Sequence, residues 1–108
     1  MNLPTEVFGD VVVVHTPEDI SDDQAVGLEA FLTSLERSRV VADLDGSETI
    51  DSAALESLLL TQESLRETDG DLKISTANKV NRTILEITRL DQQLEVFDSV
   101  IDAVKSFQ

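Results

Sequence analysis

The aspartate-serine pair Asp51-Ser52 is the part of this sequence best suited to chemistry. It follows an apolar run, Val40–Leu44, and a polar turn, Asp45-Gly46-Ser47, and it precedes leucines at helical spacing. The pair is therefore predicted to lie at the start of a helix, where four backbone N–H groups lack intrahelical partners and the macrodipole is positive. A serine at this position has two possible roles. Its hydroxyl caps the helix, or it accepts a phosphate group that the helix start stabilises.

The residues needed for several other reactions are missing. The only histidine is His15, and Ser52 is not flanked by the glycines of a nucleophile elbow, so a serine hydrolase triad is disfavoured. The chain has no cysteine, which excludes thiol nucleophiles and thiolate metal sites. Its four glycines are isolated, which excludes a glycine-rich phosphate loop. We predict a protein without turnover, metal or cofactor.

Three aspartates leave one alternative open. Asp43, Asp45 and Asp51 resemble the strand-end acids of a receiver domain, where an aspartate accepts phosphate with the help of a divalent metal. Such a site also needs an acidic pair after the first strand, and this chain has His15-Thr16 there. Turn and cap roles are therefore the favoured interpretation.

The charge of the chain limits its partners. It carries 22 acidic and 8 basic residues, a net charge of -14, which argues against binding to nucleic acid or to an anionic membrane surface. Three cations, Lys79, Arg82 and Arg89, fall near one face of a predicted helix, where solvated surface charge is the favoured role. No apolar run is long enough for a signal core or a membrane span, so we expect a cytoplasmic protein.

Apolar periodicity predicts one α/β domain over residues 1–108. Two β-rich runs, Glu6–Phe8 and Val11–Val14, flank Gly9-Asp10 and indicate a tight hairpin whose second arm lies inside the sheet. Strands that alternate with helices indicate a mixed sheet of four to five strands, parallel apart from the hairpin, with about four helices.

The remaining elements are predicted from helical or alternating spacing and from cap residues. They are helix one over 24–38 with Asp22 and Asp23 near its start, a strand over 40–44, helix two over about 52–68, a strand around 72–75, helix three with a cap at Asn78, a strand over 94–97, and helix four from Asp98 or Ser99. Most apolar residues in them, including Val80, Ile84 and Ile87, are predicted to be core.

Three segments of the chain resemble the STAS domain, the family of bacterial anti-sigma factor antagonists and related modules. They are 40–52, with the strand, turn and Asp-Ser/Thr signature; 72–90, with the next strand and helix; and 94–104, with the terminal strand and helix. The resemblance covers the chain from Glu6 onward and implies a STAS-like fold.

In that family, the serine after the aspartate is phosphorylated by an anti-sigma serine kinase, so the resemblance implies phosphorylation of Ser52. The unphosphorylated form binds the kinase and displaces the sigma factor, and the phosphorylated form is released. The residues expected to contact the partner are Ser21, Asp51, Ser52, Ala53 and Ala54. The family usually has glycine at the position of Ala54, so an active antagonist needs a partner that accepts this methyl group.

Two other functions stay open at this stage. The chain is similar to STAS subunits of bacterial lipid-type ABC transport complexes, which bind an ATPase subunit, and to STAS scaffold or sensor modules that are not phosphorylated. A neighbouring gene for a histidine-kinase-like ATPase would favour the anti-sigma role, and ABC permease and ATPase genes would favour transport. The sequence leaves open whether the chain is a monomer or a weak dimer.

Overall fold

A mixed five-stranded sheet with helices on both faces organises the chain. The elements in chain order are β1 (Thr5–Phe8), β2 (Val11–His15), β3 (Asp19–Ile20), α1 (Asp22–Ser34), β4 (Arg39–Asp43), β5 (Thr49–Ile50), α2 (Ser52–Arg66), β6 (Asp71–Ser75), α3 (Lys79–Ile87), a 3₁₀ turn (Leu90–Gln92), β7 (Val96–Phe97) and α4 (Val100–Lys105). This computed structural model describes residues 1–108 except for the side chains of residues 22 and 23.

The sheet has the topology that the sequence predicts. Its strand order is β1-β2-β4-β6-β7, with β1 antiparallel to β2 and every other pair parallel. Gly9 turns the hairpin with a φ of 65°, a conformation that glycine adopts at little cost. Strand β2 lies between β1 and β4, and Val11–Val14 are all buried.

The two faces of the sheet carry apolar clusters of different size. The main apolar cluster lies on the face that α1 and α2 cover, and α4 alone covers the other face with a smaller cluster. Because β6 is covered on both faces, Lys73 is buried, with Nζ 4.2 Å from the ring centroid of Phe107 and 2.8 Å from Ser106 Oγ. Hydrogen bonding and a cation–π contact compensate for burial of this ammonium group.

Several element boundaries differ from the prediction, most clearly those of the first helix and the last strand. Helix one was expected over 24–38, but α1 spans Asp22–Ser34 because Leu35 is already extended and turns the chain toward β4. The strand expected over 94–97 shortens to Val96–Phe97, since only Ile74 and Ser75 of β6 have partners there. The expected roles of Asp22 and Asp23 lie outside the described side chains.

Two predicted caps are confirmed. Asn78 Oδ1 accepts from the backbone N–H of Val80 at 2.9 Å, and Ser99 Oγ accepts from the backbone N–H of Asp102 at 3.1 Å. These residues fix the starts of α3 and α4, because each satisfies an N–H group that has no intrahelical partner.

The core prediction is wrong for much of α3. Val80 is 64% exposed and Ile87 is 76% exposed, because the inward face of this helix carries Asn81 and Leu85 instead. Helical spacing correctly identified an apolar stripe, but of its residues Val80, Ile84 and Ile87 only Ile84 packs against the main apolar cluster. Leu90 is buried as expected, although it lies in the 3₁₀ turn and not in α3.

Candidate functional site

The starts of α1 and α2 lie side by side. Strands β3 and β5 form a separate parallel pair with Ile20 opposite Ile50, and the backbone N–H of Asp51 donates to Ile20 O at 3.3 Å. The next residues along the two strands, Ser21 and Asp51, therefore begin neighbouring helices. Two positive helix ends at one surface favour negative charge there. No sequence pattern indicated this two-residue pairing.

Asp51, and not Ser52, caps α2. Asp51 has an extended backbone, and its Oδ1 accepts from the N–H of Ala54 at 3.0 Å. Ser52 is the first helical residue, and it is exposed. The cap role that the sequence offered for Ser52 is therefore wrong, because the neighbouring aspartate takes that role. The serine hydroxyl is left at the surface for other chemistry.

This assignment predicts stability effects of different size for the two neighbours. Asp51→Ala should lower the free energy of unfolding by about 1 kcal/mol, the usual cost of losing a helix cap. Ser52→Ala should change it by less than about 0.5 kcal/mol, because the site is exposed and alanine favours helix. Urea denaturation of both variants measures the difference. Equal losses would contradict the assignment of the cap to Asp51.

The structure places the other expected contact residues in different environments. Ser21 and Ala53 are partly buried next to the α2 start, Ser21 at the cap position of α1 and Ala53 on the side of α2 that faces α1. Ala54 is 0% exposed and belongs to the main apolar cluster. Ser21, Asp51, Ser52 and Ala53 are therefore at least partly accessible at this surface, and the Ala54 methyl group packs inside the domain.

Burial separates Ser52 from Ser47 and Ser57, the serines nearest to it in the sequence. Ser47 is fully buried, with Oγ 2.6 Å from Thr16 Oγ1 and hydrogen-bonded to Pro17 O. Ser57 is buried too, and its hydroxyl donates to Ala54 O. Of the three serines at 47, 52 and 57, only Ser52 is accessible to another protein.

Asn81 of α3 holds the loop that leads to the site, and sequence reasoning missed it. Its side chain is buried, and Nδ2 donates to Leu44 O and to Ser47 O, each at 3.0 Å. These two bonds tie the turn after β4 to α3. The signal in the sequence was a polar residue four positions before Leu85, on the inward face of the helix.

The aspartates of the receiver-like alternative have structural partners. Asp43 Oδ1 accepts from the backbone N–H of Asp45 at 3.2 Å, Asp45 Oδ1 accepts from Ala77 N at 2.6 Å, and Asp51 caps α2. Among the side chains that the structure describes, no group of three His, Cys, Asp or Glu residues is arranged to hold a metal ion. These contacts support the turn and cap interpretation.

No helix in the described part of the chain is both long enough and apolar enough to cross a membrane. Of the three cations predicted to share a helix face, Lys79 and Arg82 lie in α3 and Arg89 lies after it. Arg82 Nη1 lies 2.9 Å from Asp98 Oδ1. This cation is therefore partly buried and paired with an acidic residue.

His15 joins β1 to β4 at the carboxyl end of the sheet. Its Nε2 lies 2.6 Å from Glu6 Oε1, and its Nδ1 lies 2.8 Å from Asp43 Oδ2. The hydrogen bond to Glu6 is the main cause that raises the pKa of His15 above its usual value, burial opposes it, and Asp43 raises the pKa further. A protonated imidazole donates to both carboxylates at once.

The raised pKa makes a pH-dependent contribution to stability. A histidine whose pKa is higher in the folded state stabilises fully below the unfolded pKa of about 6.5, and this contribution is lost as pH rises through the folded pKa. The difference in free energy of unfolding between wild type and His15→Gln should therefore be larger at about pH 6 than at about pH 9. Urea denaturation at both pH values measures it. If this difference were the same at both pH values, the stabilising contacts of protonated His15 with Glu6 and Asp43 would be contradicted.

Comparison with known proteins agrees with the fold. A family model described as the STAS domain matches residues 2–103. No curated protein sequence matches the chain. An anti-sigma factor antagonist from Mycobacterium paratuberculosis is 23% identical, with 97% of this chain and 92% of that chain covered and a TM-score of 0.85.

Two more solved structures have the same fold. The Bacillus cell fate determinant SpoIIAA, in its phosphorylated form, is 12% identical over 99% of this chain and 100% of that chain, with a TM-score of 0.73. A sulfate transporter family protein from Wolinella succinogenes is 19% identical over 94% of this chain and 87% of that chain, with a TM-score of 0.80. At sequence identities this low, the structural similarity shows a shared fold alone.

Proposed function

The chain belongs to the STAS domain family, and we propose that it is an anti-sigma factor antagonist controlled by phosphorylation of Ser52. In this role it is a cytoplasmic protein-binding module that performs no turnover of its own. The observation that carries the proposal is the exposed hydroxyl of Ser52, directly after the capping Asp51 and beside the start of α1. Further support comes from SpoIIAA, a protein of the same fold whose structure is known in a phosphorylated form.

The proposed modification is a phosphoryl transfer in which the partner supplies the catalytic groups. Ser52 Oγ attacks the γ-phosphorus of ATP bound to the kinase, and a new O–P bond forms as the bond to the leaving ADP oxygen breaks. The hydroxyl proton passes to a base of the kinase. This chain contributes a nucleophile fixed at the first turn of a helix, so its approach to the nucleotide is defined by the backbone.

Phosphorylation releases the partner without a change of fold. The phosphate adds about -1.5 to -2 charge and three acceptor oxygens at a helix start, where the exposed N–H groups and the dipole stabilise it. A partner surface fitted to a neutral hydroxyl has no room for this group, and burying its charge without counter-ions is costly. The modified domain therefore stays folded and loses affinity for that surface.

A direct test is calorimetric titration of the chain with the anti-sigma kinase encoded nearest to its gene. The proposal predicts saturable binding by the unphosphorylated chain.

A second candidate function, a STAS module of a transport complex, draws support from the likeness to the Wolinella sulfate transporter family protein. In that case a transport ATPase or permease domain, and not the kinase, binds the chain in the same titration.

A further inference from the structure

A groove between α1 and α2 runs beside the start of α2, with Ala53 among its lining residues. It has a volume of about 390 Å³ and is lined only by these two helices. Its walls carry two large apolar side chains, Val26 at 75% exposure and Leu60 at 41%. The buried residues Ala25 and Ser57 form part of its floor. Exposed apolar walls beside a small-residue floor allow another chain to approach closely.

Charge restricts what the groove can bind. The charged residues that line it are Glu29 of α1 and Glu56 of α2, one on each helix, and its lining contains no lysine or arginine. The chain as a whole is also acidic, with a net charge of -14. An occupant must therefore present apolar side chains to Val26 and Leu60 and positive charges to the two glutamates.

We propose that this groove is a second interaction surface, which binds an amphipathic helix with lysine or arginine beside its apolar stripe. Two neighbouring helices that lie on the same sheet form a groove in which a third helix packs by its ridges. A second copy of this chain fits less well, because two molecules of charge -14 repel each other. The inference goes beyond the proposed function, since it does not depend on phosphorylation of Ser52.

The test uses a synthetic amphipathic helix of leucine and lysine, about 18 residues long so that it forms a stable helix. Its binding to the unmodified protein is measured by fluorescence anisotropy at about 150 mM salt, where long-range attraction is screened. Leu60→Glu should raise the dissociation constant at least about tenfold, because it places a charge in the apolar wall. Val26→Glu, at the more exposed wall, should have the same effect with less risk to folding.

Ile87→Glu is the matched control, because Ile87 is 76% exposed on α3 and the change adds the same charge. It should alter the dissociation constant by less than about twofold. Equal weakening by Leu60→Glu and Ile87→Glu would overturn the proposal, since binding would then be non-specific. Absence of binding by the wild type would overturn it too, as would self-association of the chain that Leu60→Glu abolishes, because the occupant would then be a second copy.

Discussion

Ser52→Glu is expected to weaken binding to the anti-sigma kinase by at least about tenfold, or about 1.4 kcal/mol. The variant places a carboxylate where the proposed partner surface meets a neutral hydroxyl. Its fold should be intact, because Ser52 is exposed and a glutamate in the first turn interacts favourably with the helix dipole. Calorimetric titration measures the affinity, and thermal unfolding checks the fold.

Ser64→Glu is the control for this change. Ser64 is an exposed serine of the same helix, twelve positions further along, or about 18 Å at 1.5 Å per residue. The same charge at that distance should alter the affinity by less than about twofold, because surface charges are screened over roughly 8 Å at physiological salt. If Ser52→Glu binds as tightly as wild type, Ser52 lies outside the interface.

Asn81→Asp should destabilise the domain by about 3 kcal/mol. The substitution removes the two N–H donors that reach Leu44 O and Ser47 O and places a carboxylate against these carbonyl oxygens in a buried site. Leu44 O keeps only its bond from the backbone N–H of Ser47, Ser47 O loses the side-chain donor, and a negative charge is placed in a buried site. Urea denaturation at neutral pH measures the loss. Because the turn before Ser52 depends on these bonds, kinase binding should weaken in parallel.

Asn78→Asp is a control of identical chemistry three residues earlier. Asn78 uses its Oδ1 as the acceptor from Val80 N and Asn81 N, and aspartate supplies the same acceptor at a helix start. Its free energy of unfolding should stay within about 0.5 kcal/mol of wild type. Similar losses in both variants would contradict the donor role of Asn81.

Local patterns were sufficient for much of the fold. The hairpin around Gly9, the buried valines of β2 and the caps at Asn78 and Ser99 each depend on neighbours within a few positions, so the sequence contains the information. The alternation of strands with helices then restricted the sheet to a mostly parallel order. The family resemblance, which carried the Asp-Ser signature, agrees with the STAS match over residues 2–103.

Features that depend on distant neighbours could not be predicted. Helical spacing identified the apolar stripe with Val80 and Ile87, but nothing local shows whether another element covers it. The contact of Asp51 N with Ile20 O depends on two-residue strands too short to leave a pattern. Asp51 and Ser52 are both competent caps by propensity, so only the backbone conformation at Asp51 separates them.

Mapping the phosphorylated residue tests the central claim most directly. The purified chain is incubated with the anti-sigma kinase and Mg-ATP, and modified peptides are identified by mass spectrometry. We predict one phosphate, on Ser52, that is lost in Ser52→Ala and retained in Ser64→Ala. Phosphate on exposed Thr49 alone, or no phosphate from a kinase that binds the chain, would contradict the assignment of Ser52 as the switch.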